Sequence, residues 1–355
     1  MPTTTARSGD AAAGSDFAPL LRLVRERGLL DRRPGWFAAT IGLNLAALAA
    51  IAVAIQMAGD SWWTLLLALP AAVFWTRTAF IGHDAGHGQV ATSRRVGRAV
   101  ALVHGNLLLG MSCGWWNDKH NRHHANPNHV EKDPDVRVGT LVWTQRQAAL
   151  REGFSRWLTR NQAWLFFPML LLEGLNLKVS GIRDLKRQGR RERTVEASLM
   201  LLHLGGYSAL LLTSMSLGTA VAFALLHHAL FGLHLGMAFA PNHKGMEMPD
   251  PDAERWDFLR RQVLTARNVR GGPITDALFG GLNYQIEHHL FPGMPRPNLR
   301  IAQPLVREHC EALGVSYAET GVIDSYRLAL RHMRDVGAPL RTEGAGVVRP
   351  DGAPA

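Results

Sequence analysis

Only two cysteines occur in the chain, Cys113 and Cys310, and neither belongs to a CxxC pair. That leaves no basis for a disulfide frame or a thiolate cluster, and each reads as a small buried residue. Also missing are the GxSxG elbow of a serine hydrolase, a phosphate-binding P-loop and the HExxH of a zinc protease. No stretch alternates like a strand, and no solenoid repeat is present. Charge is absent from whole segments: residues 34–59, 61–76 and 197–243 contain no Lys, Arg, Asp or Glu. The last of these runs is 47 residues long, enough for two membrane spans of about 20 residues each.

These absences define an all-α integral membrane protein. Breaks at "MAGDS" (57–61) and "TSMSLG" (213–218) read as tight turns, giving four transmembrane helices as two hairpins, about 36–80 and 197–241. Neither turn contains Lys or Arg, so the positive-inside rule puts the basic N-terminal, middle and C-terminal regions in the cytoplasm. The expected organisation is a polar cytoplasmic segment at 1–33, a membrane domain at 34–337 and a disordered tail at 338–355. Within that domain, a cytoplasmic helical cap is built from about 81–196 and 242–337. The apolar stretches 99–117 and 161–172 are read as interfacial rather than spanning. The first apolar run follows a 33-residue polar lead, which is too far in for a secretory signal. The net charge of +10 favours anionic lipid headgroups and acidic protein partners. No nucleic-acid motif accompanies it.

What the chain does contain is histidine, 16 in all. "HDAGH" sets His83 and His87 at i and i+4 on one helix face. "HNRHH" sets His120, His123 and His124 at i, i+3 and i+4. "QIEHH" repeats that geometry with Gln285, His288 and His289. Neutral imidazole is the commonest metal ligand, and seven box histidines exceed what one tetrahedral zinc needs. Two metals are the economical reading. Asp84, Asn117, Asp118, Asn121 and Glu287 lie close in sequence and are expected to accept hydrogen bonds from the imidazoles. Trp115 and Trp116 read as an interface anchor or as the wall of a substrate channel.

These three boxes, with "GWWNDKHNRHH" (114–124), "FAPNHKGM" (239–246) and "NYQIEHHLFPGMPR" (283–296), resemble the membrane fatty-acid desaturase family, in its front-end branch and bacterial relatives. The resemblance runs over about 36–337. It implies a non-haem diiron centre of two Fe ions held by the boxes, with His243 as a further ligand and Asn242 beside it. In that branch glutamine commonly leads the third box, so Gln285 is a family feature. Its amide oxygen then either ligates iron or accepts a hydrogen bond from a metal-bound water. The implied activity is O2-dependent insertion of a cis double bond into a long acyl chain carried on CoA, carrier protein or membrane lipid. The chain has no HPGG haem motif, unlike eukaryotic front-end enzymes with a fused cytochrome b5. A separate acidic ferredoxin with its reductase is the expected donor, and a bacterial plasma membrane the expected location. The rivals are a hydroxylase, acetylenase or ketolase on the same scaffold, a metal transporter and a zinc hydrolase. His227 and His234 lie about 24 and 13 Å along a helix from His243 and are read as packing residues. His104, His129, His203 and His228 are read as structural, and His309 and His332 as surface residues.

Overall fold

The computed structural model describes residues 15–249 and 256–342. The polar stretch 1–14 and the tail 343–355 lie outside the described residues. Helix α1 (Phe17–Glu26) precedes α2 (Pro34–Ala58). Pro34 opens α2, where a missing N–H is harmless, and Gly59 closes it at φ 62°. A 3-10 turn, Trp62–Leu67, then runs directly into α3 (Ala68–Gly86). Next come α4 (Arg94–Leu102), a wide π-type turn at Val103–Leu108, and α5 (Cys113–Ala125). The short α6 (Gln145–Ala149) leads to α7 (Gly153–Leu170), α8 (Glu173–Asp184), α9 (Arg190–Ser214) and α10 (Leu217–His243). The C-terminal part holds α11 (Phe258–Leu264), α12 (Pro273–Phe279), α13 (Gln285–Leu290), α14 (Arg296–Ala312), α15 (Val322–Val336) and α16 (Pro339–Thr342). Two-residue strands β1 (Asn268–Val269) and β2 (Glu319–Thr320) pair in parallel. They are the strands among the described residues, in a chain whose pattern predicts none.

Four segments are long and apolar enough to cross a membrane: Pro34–Ala58, Trp62–Gly86, Arg190–Ser214 and Leu217–His243. Their outward faces carry exposed leucines such as Leu43, Leu201, Leu204 and Leu217, the pattern of helices solvated by lipid rather than water. The two hairpin turns share one end of the bundle, where Ser216 donates to Asp60 at 2.9 Å and Gln56 donates to Thr213 at 3.2 Å. Helices α3 and α9 overrun their charge-free stretches by a turn or more, and this overrun carries His83 on α3. At 99–117 and 161–172 the helix pairs bend sharply, by 113° between Arg94–Leu108 and Cys113–Ala125 and by 85° between Gly153–Leu170 and Glu173–Arg187. The π-type turn reaches α9, with His203 Nδ1 donating to the Leu107 carbonyl at 3.1 Å. Gly232 of α10 allows the second bend to close, because a Cβ there would stand 2.6 Å from the Leu170 carbonyl. Such small-residue contacts let helix backbones approach inside a membrane.

The cap has a core of its own. Leu20 and Val24 of α1 pack with Ile286, Met294, Leu299, Val306 and Cys310. Helix α1 thus belongs to the folded body. Leu340 of α16 is also buried, so order continues past 338, where a disordered tail is expected. Asn298 Nδ2 ties α14 to the N-terminal segment by donating to the Leu29 carbonyl at 2.7 Å.

Candidate metal centre

Four helices converge at the end of the bundle opposite the hairpin turns. Helix α3 presents His83 in its last turn and places His87 at its C-cap. Ser112 accepts from Trp115 N at 3.2 Å and starts α5, which carries His120, His123 and His124 on one face. Helix α10 ends at His243 just after Pro241. Buried Arg267 holds that end by donating to the Pro241 carbonyl at 2.6 and 3.1 Å and to the Lys244 carbonyl at 2.8 Å. Helix α13 delivers Gln285, His288 and His289, all buried.

The eight histidines fall into two groups. Ring nitrogens of His83, His87, His120, His124 and His288 lie within 4.8 Å of one another, and so do those of His123, His243 and His289. Closest pairs are His83 Nε2 to His120 Nε2 at 3.0 Å, His120 Nε2 to His124 Nε2 at 3.1 Å, and His123 Nε2 to His243 Nε2 at 3.3 Å. Two nitrogens bound at about 2.1 Å to one ion, at 90–109° to each other, stand roughly 3.0–3.4 Å apart. The observed spacings match.

Tautomers make the same point. His123 Nδ1 donates to Asp133 Oδ2 at 2.9 Å, and His243 Nδ1 donates to the Thr265 carbonyl at 2.9 Å. Each proton is thereby fixed on Nδ1, leaving two Nε2 lone pairs facing one another at 3.3 Å. Facing lone pairs repel unless a cation lies between them. His289 Nδ1 donates to Gln262 Oε1 at 3.0 Å, and His83 Nδ1 to Asp84 Oδ1 at 3.2 Å. Nε2 of His87, His288 and His289 is buried without a hydrogen-bond partner, an expensive state that ligation would relieve. Burial first, and neighbouring imidazoles second, hold His120, His124, His288 and His289 well below the usual imidazole pKa. They are neutral, as ligands must be. The residues present therefore fit a pair of metal ions.

His123 also stands near Asp133 and Asp135. That contact uses Nδ1, while Nε2 faces His243, so the two carboxylates serve as acceptors for the imidazole. Burial raises the pKa of Asp135, but Lys119, His123 and Lys244 outweigh it and leave the carboxyl below its ordinary value. Lys119 forms the ion pair with Asp135.

The residues expected to support the imidazoles scatter. Asp84 contacts His83 and is paired with Arg296. Asn242 contacts Gln285 at 3.2 Å. Asn117 Nδ2 reaches Cys113 Sγ at 3.5 Å, Asp118 pairs with Arg122 at 2.8 Å, and Glu287 accepts from Asn268 and Tyr317, each at 2.7 Å. None of these last three meets an imidazole in these contacts, and Asn121 is exposed. The acceptors that sequence reading missed are Asp133, Thr265 and Gln262. Asp133 follows the second box by nine residues in "EKDPD", and its cue was the charge. The other two lie in "RRQVLT", which contains no histidine and offered no cue.

A cavity of about 220 Å³ adjoins the histidines, with Trp116, Phe166, Leu177, Leu235 and Phe239 in its apolar wall and His120, His123, His243 and Gln285 at its polar end. Trp116 stacks on His120 at 5.2 Å. Trp115 packs on Trp116 at 6.3 Å and does not line this cavity. A second space of about 40 Å³ shares Trp116, Leu235 and Phe239 and reaches His83, Leu109 and Met111. The apolar groove of about 590 Å³ between α8, α9 and α10 touches none of the eight histidines.

Comparison with known proteins agrees with this geometry. A family model for fatty acid desaturases matches residues 60–321. The chain is 25% identical to a Delta(8)-fatty-acid desaturase of Arabidopsis thaliana, over 85% of its own length and 70% of that protein's. It is 26% identical to a Delta(6)-fatty-acid desaturase of Caenorhabditis elegans, over 93% and 76% of the two chains. A Delta(5) fatty acid desaturase of the same nematode is 28% identical, over 92% and 74%.

Proposed function

The chain belongs to the fatty acid desaturase family, and from that premise we propose that it introduces a cis double bond into a long acyl chain at a histidine-held diiron centre. The observation that carries the reading is the arrangement of eight buried or half-buried imidazoles in two groups beside a cavity with an apolar wall. A methylene C–H has no useful acidity, so the acid–base groups present cannot remove its hydrogen. Two bound iron ions would supply the oxidising O2 chemistry that such a bond requires. His83, His87, His120, His124 and His288 would hold one ion, and His123, His243 and His289 the other, with Gln285 beside it.

The chain's own residues bind and orient. Trp116, Leu235 and Phe239 would grip successive methylenes and exclude water, so that one carbon pair rests against the histidine end of the cavity. Asp84, Asp133, Gln262 and the Thr265 carbonyl would keep the ligating nitrogens unprotonated by holding the ring protons on Nδ1. Arg122 is exposed and Arg261 half-buried near the second box. With the net charge of +10, they would suit an acidic ferredoxin-type electron donor reaching this face from the cytoplasm.

The test is the fatty-acid profile of a host expressing this chain with a ferredoxin and its reductase, beside the His288→Ala variant. A new unsaturated species that vanishes in the variant is expected. Retained oxygen in the product would move the reading to a hydroxylase. An unchanged profile with iron-loaded protein, or full activity in the variant, would overturn it.

A further inference from the structure

The two histidine groups are unequal, five imidazoles against three. Gln285 lies beside the poorer one, and its amide orientation is fixed by Asn242. Asn242 Nδ2 lies 3.1 Å from the Ala238 carbonyl and 3.0 Å from the Leu282 carbonyl. Carbonyls only accept, so Asn242 must turn its NH2 toward them. The same Nδ2 is 3.2 Å from Gln285 Oε1, and an amide nitrogen in that place would set donor against donor. At the other end Gln285 Nε2 stands 2.9 Å from His243 Nε2. His243 has its proton on Nδ1, donated to Thr265, so its one Nε2 lone pair is the one a metal would take, and it gives the amide nothing to donate to. Asn242 therefore demands oxygen toward itself, which leaves the amide nitrogen toward the histidines.

An amide nitrogen has no lone pair for a metal. We infer that Gln285 is a positioning donor rather than a ligand, and that it holds a small ligand such as water at the open side of the three-histidine site by an N–H hydrogen bond. Three protein ligands with one open position are the mark of a reactive site rather than a closed structural one. Gln285 lines the cavity of about 220 Å³ together with His243 and His123, so the open side faces the space assigned to substrate.

The inference rests on the two-metal reading, and one experiment separates the two. The full chain is purified in detergent with its iron, and iron per chain is measured. Azide, a small anionic acceptor, is then titrated by the visible band of the oxidised protein. Wild type is expected to hold two irons and bind azide. Gln285→Ala should keep both irons and bind azide about five- to tenfold more weakly, the loss of one hydrogen bond. The isosteric Gln285→Glu should keep its fold and bind azide more weakly still, because it offers the anion an acceptor in place of a donor. Fewer than two irons in wild type would overturn the two-metal reading and this inference with it. Two irons in wild type but one in Gln285→Ala would make Gln285 a ligand and overturn the inference alone. Unchanged azide affinity in both variants would also overturn it.

Discussion

Replacing Asp133 by asparagine isolates what a supporting carboxylate does for this centre. Asp133 is fully buried. Its Oδ2 accepts from Asn128 N at 2.7 Å and from His123 Nδ1 at 2.9 Å, and its Oδ1 accepts from Asp135 N at 2.8 Å. All three partners are donors. An asparagine side chain offers one oxygen, so its NH2 must oppose a donor in either orientation. If the oxygen stays with His123, the Asp135 N–H loses its partner, at a cost of about 1–3 kcal/mol in stability. If the amide turns over, His123 must shift its proton to Nε2, which removes a ligand from the three-histidine group. In the milder case the weaker acceptor should still lower metal affinity about 10–100-fold at that group, or roughly 1.4–2.7 kcal/mol. The assay is stepwise removal of iron by a chelator from detergent-purified protein. Asp133→Asn should release one iron at correspondingly lower chelator, while release of the other is unmoved. Asp135→Asn, with a carboxylate 3.5 Å from His123, should change less. An unchanged release curve in Asp133→Asn, or an equal shift of both irons, would refute the reasoning.

Other outcomes follow from the same geometry. Burial raises the Glu287 carboxyl to about 7, against the hydrogen bonds from Tyr317 and Asn268. A raised folded pKa means that the stabilising protonated form is complete below the unfolded value near 4.5 and is lost as pH rises to about 7. Thermal melts of Glu287→Gln should therefore lack a pH-dependent fall of about 2–3 kcal/mol that wild type shows between pH 4.5 and 7.5; parallel curves would count against it. Gly280 has φ 59°, and a Cβ there would enter the Phe80 ring, so Gly280→Ala should cost roughly 2–3 kcal/mol in a denaturation series. Leu235 borders both spaces beside the histidines. Leu235→Trp should keep its iron but lower turnover of the longest acyl chains about tenfold or more relative to short ones, measured by competition between chain lengths. Equal loss for all lengths would place the acyl chain elsewhere.

The four spans were legible because a membrane segment writes its identity in consecutive residues, and the absence of charge over 197–243 needs no tertiary information to interpret. The boxes were legible for a related reason: ligands at i, i+3 and i+4 share a helix face, so spacing alone sets them side by side. Helix ends were less so. The apolar run 61–76 stops ten residues before α3 does, and it is this polar overrun that seats His83.

What spacing cannot encode is the partner of a ring's second nitrogen. That partner is whatever acceptor the fold brings within about 3 Å, and here it is a backbone carbonyl for His243 and a glutamine for His289. A backbone carbonyl has no sequence signature at all. Proximity in sequence also misleads on a helix, since a neighbour at i−3 on the ligand face can bond elsewhere and one at i−2 is rotated off that face. Asn117 and Asp118 stand in that relation to His120 and turn to Cys113 and Arg122 instead. Asp84 reaches His83 from i+1 because Arg296, 212 residues along the chain, anchors the carboxylate from the other side. Gln89 makes a similar link, donating to the Pro292 carbonyl at 2.8 Å and accepting from Arg296 N at 3.1 Å. The first and third boxes are thus joined by polar contacts that avoid the histidines altogether. The ligating face can then stay pure imidazole, and its hydrogen-bond support comes from the far side of each ring.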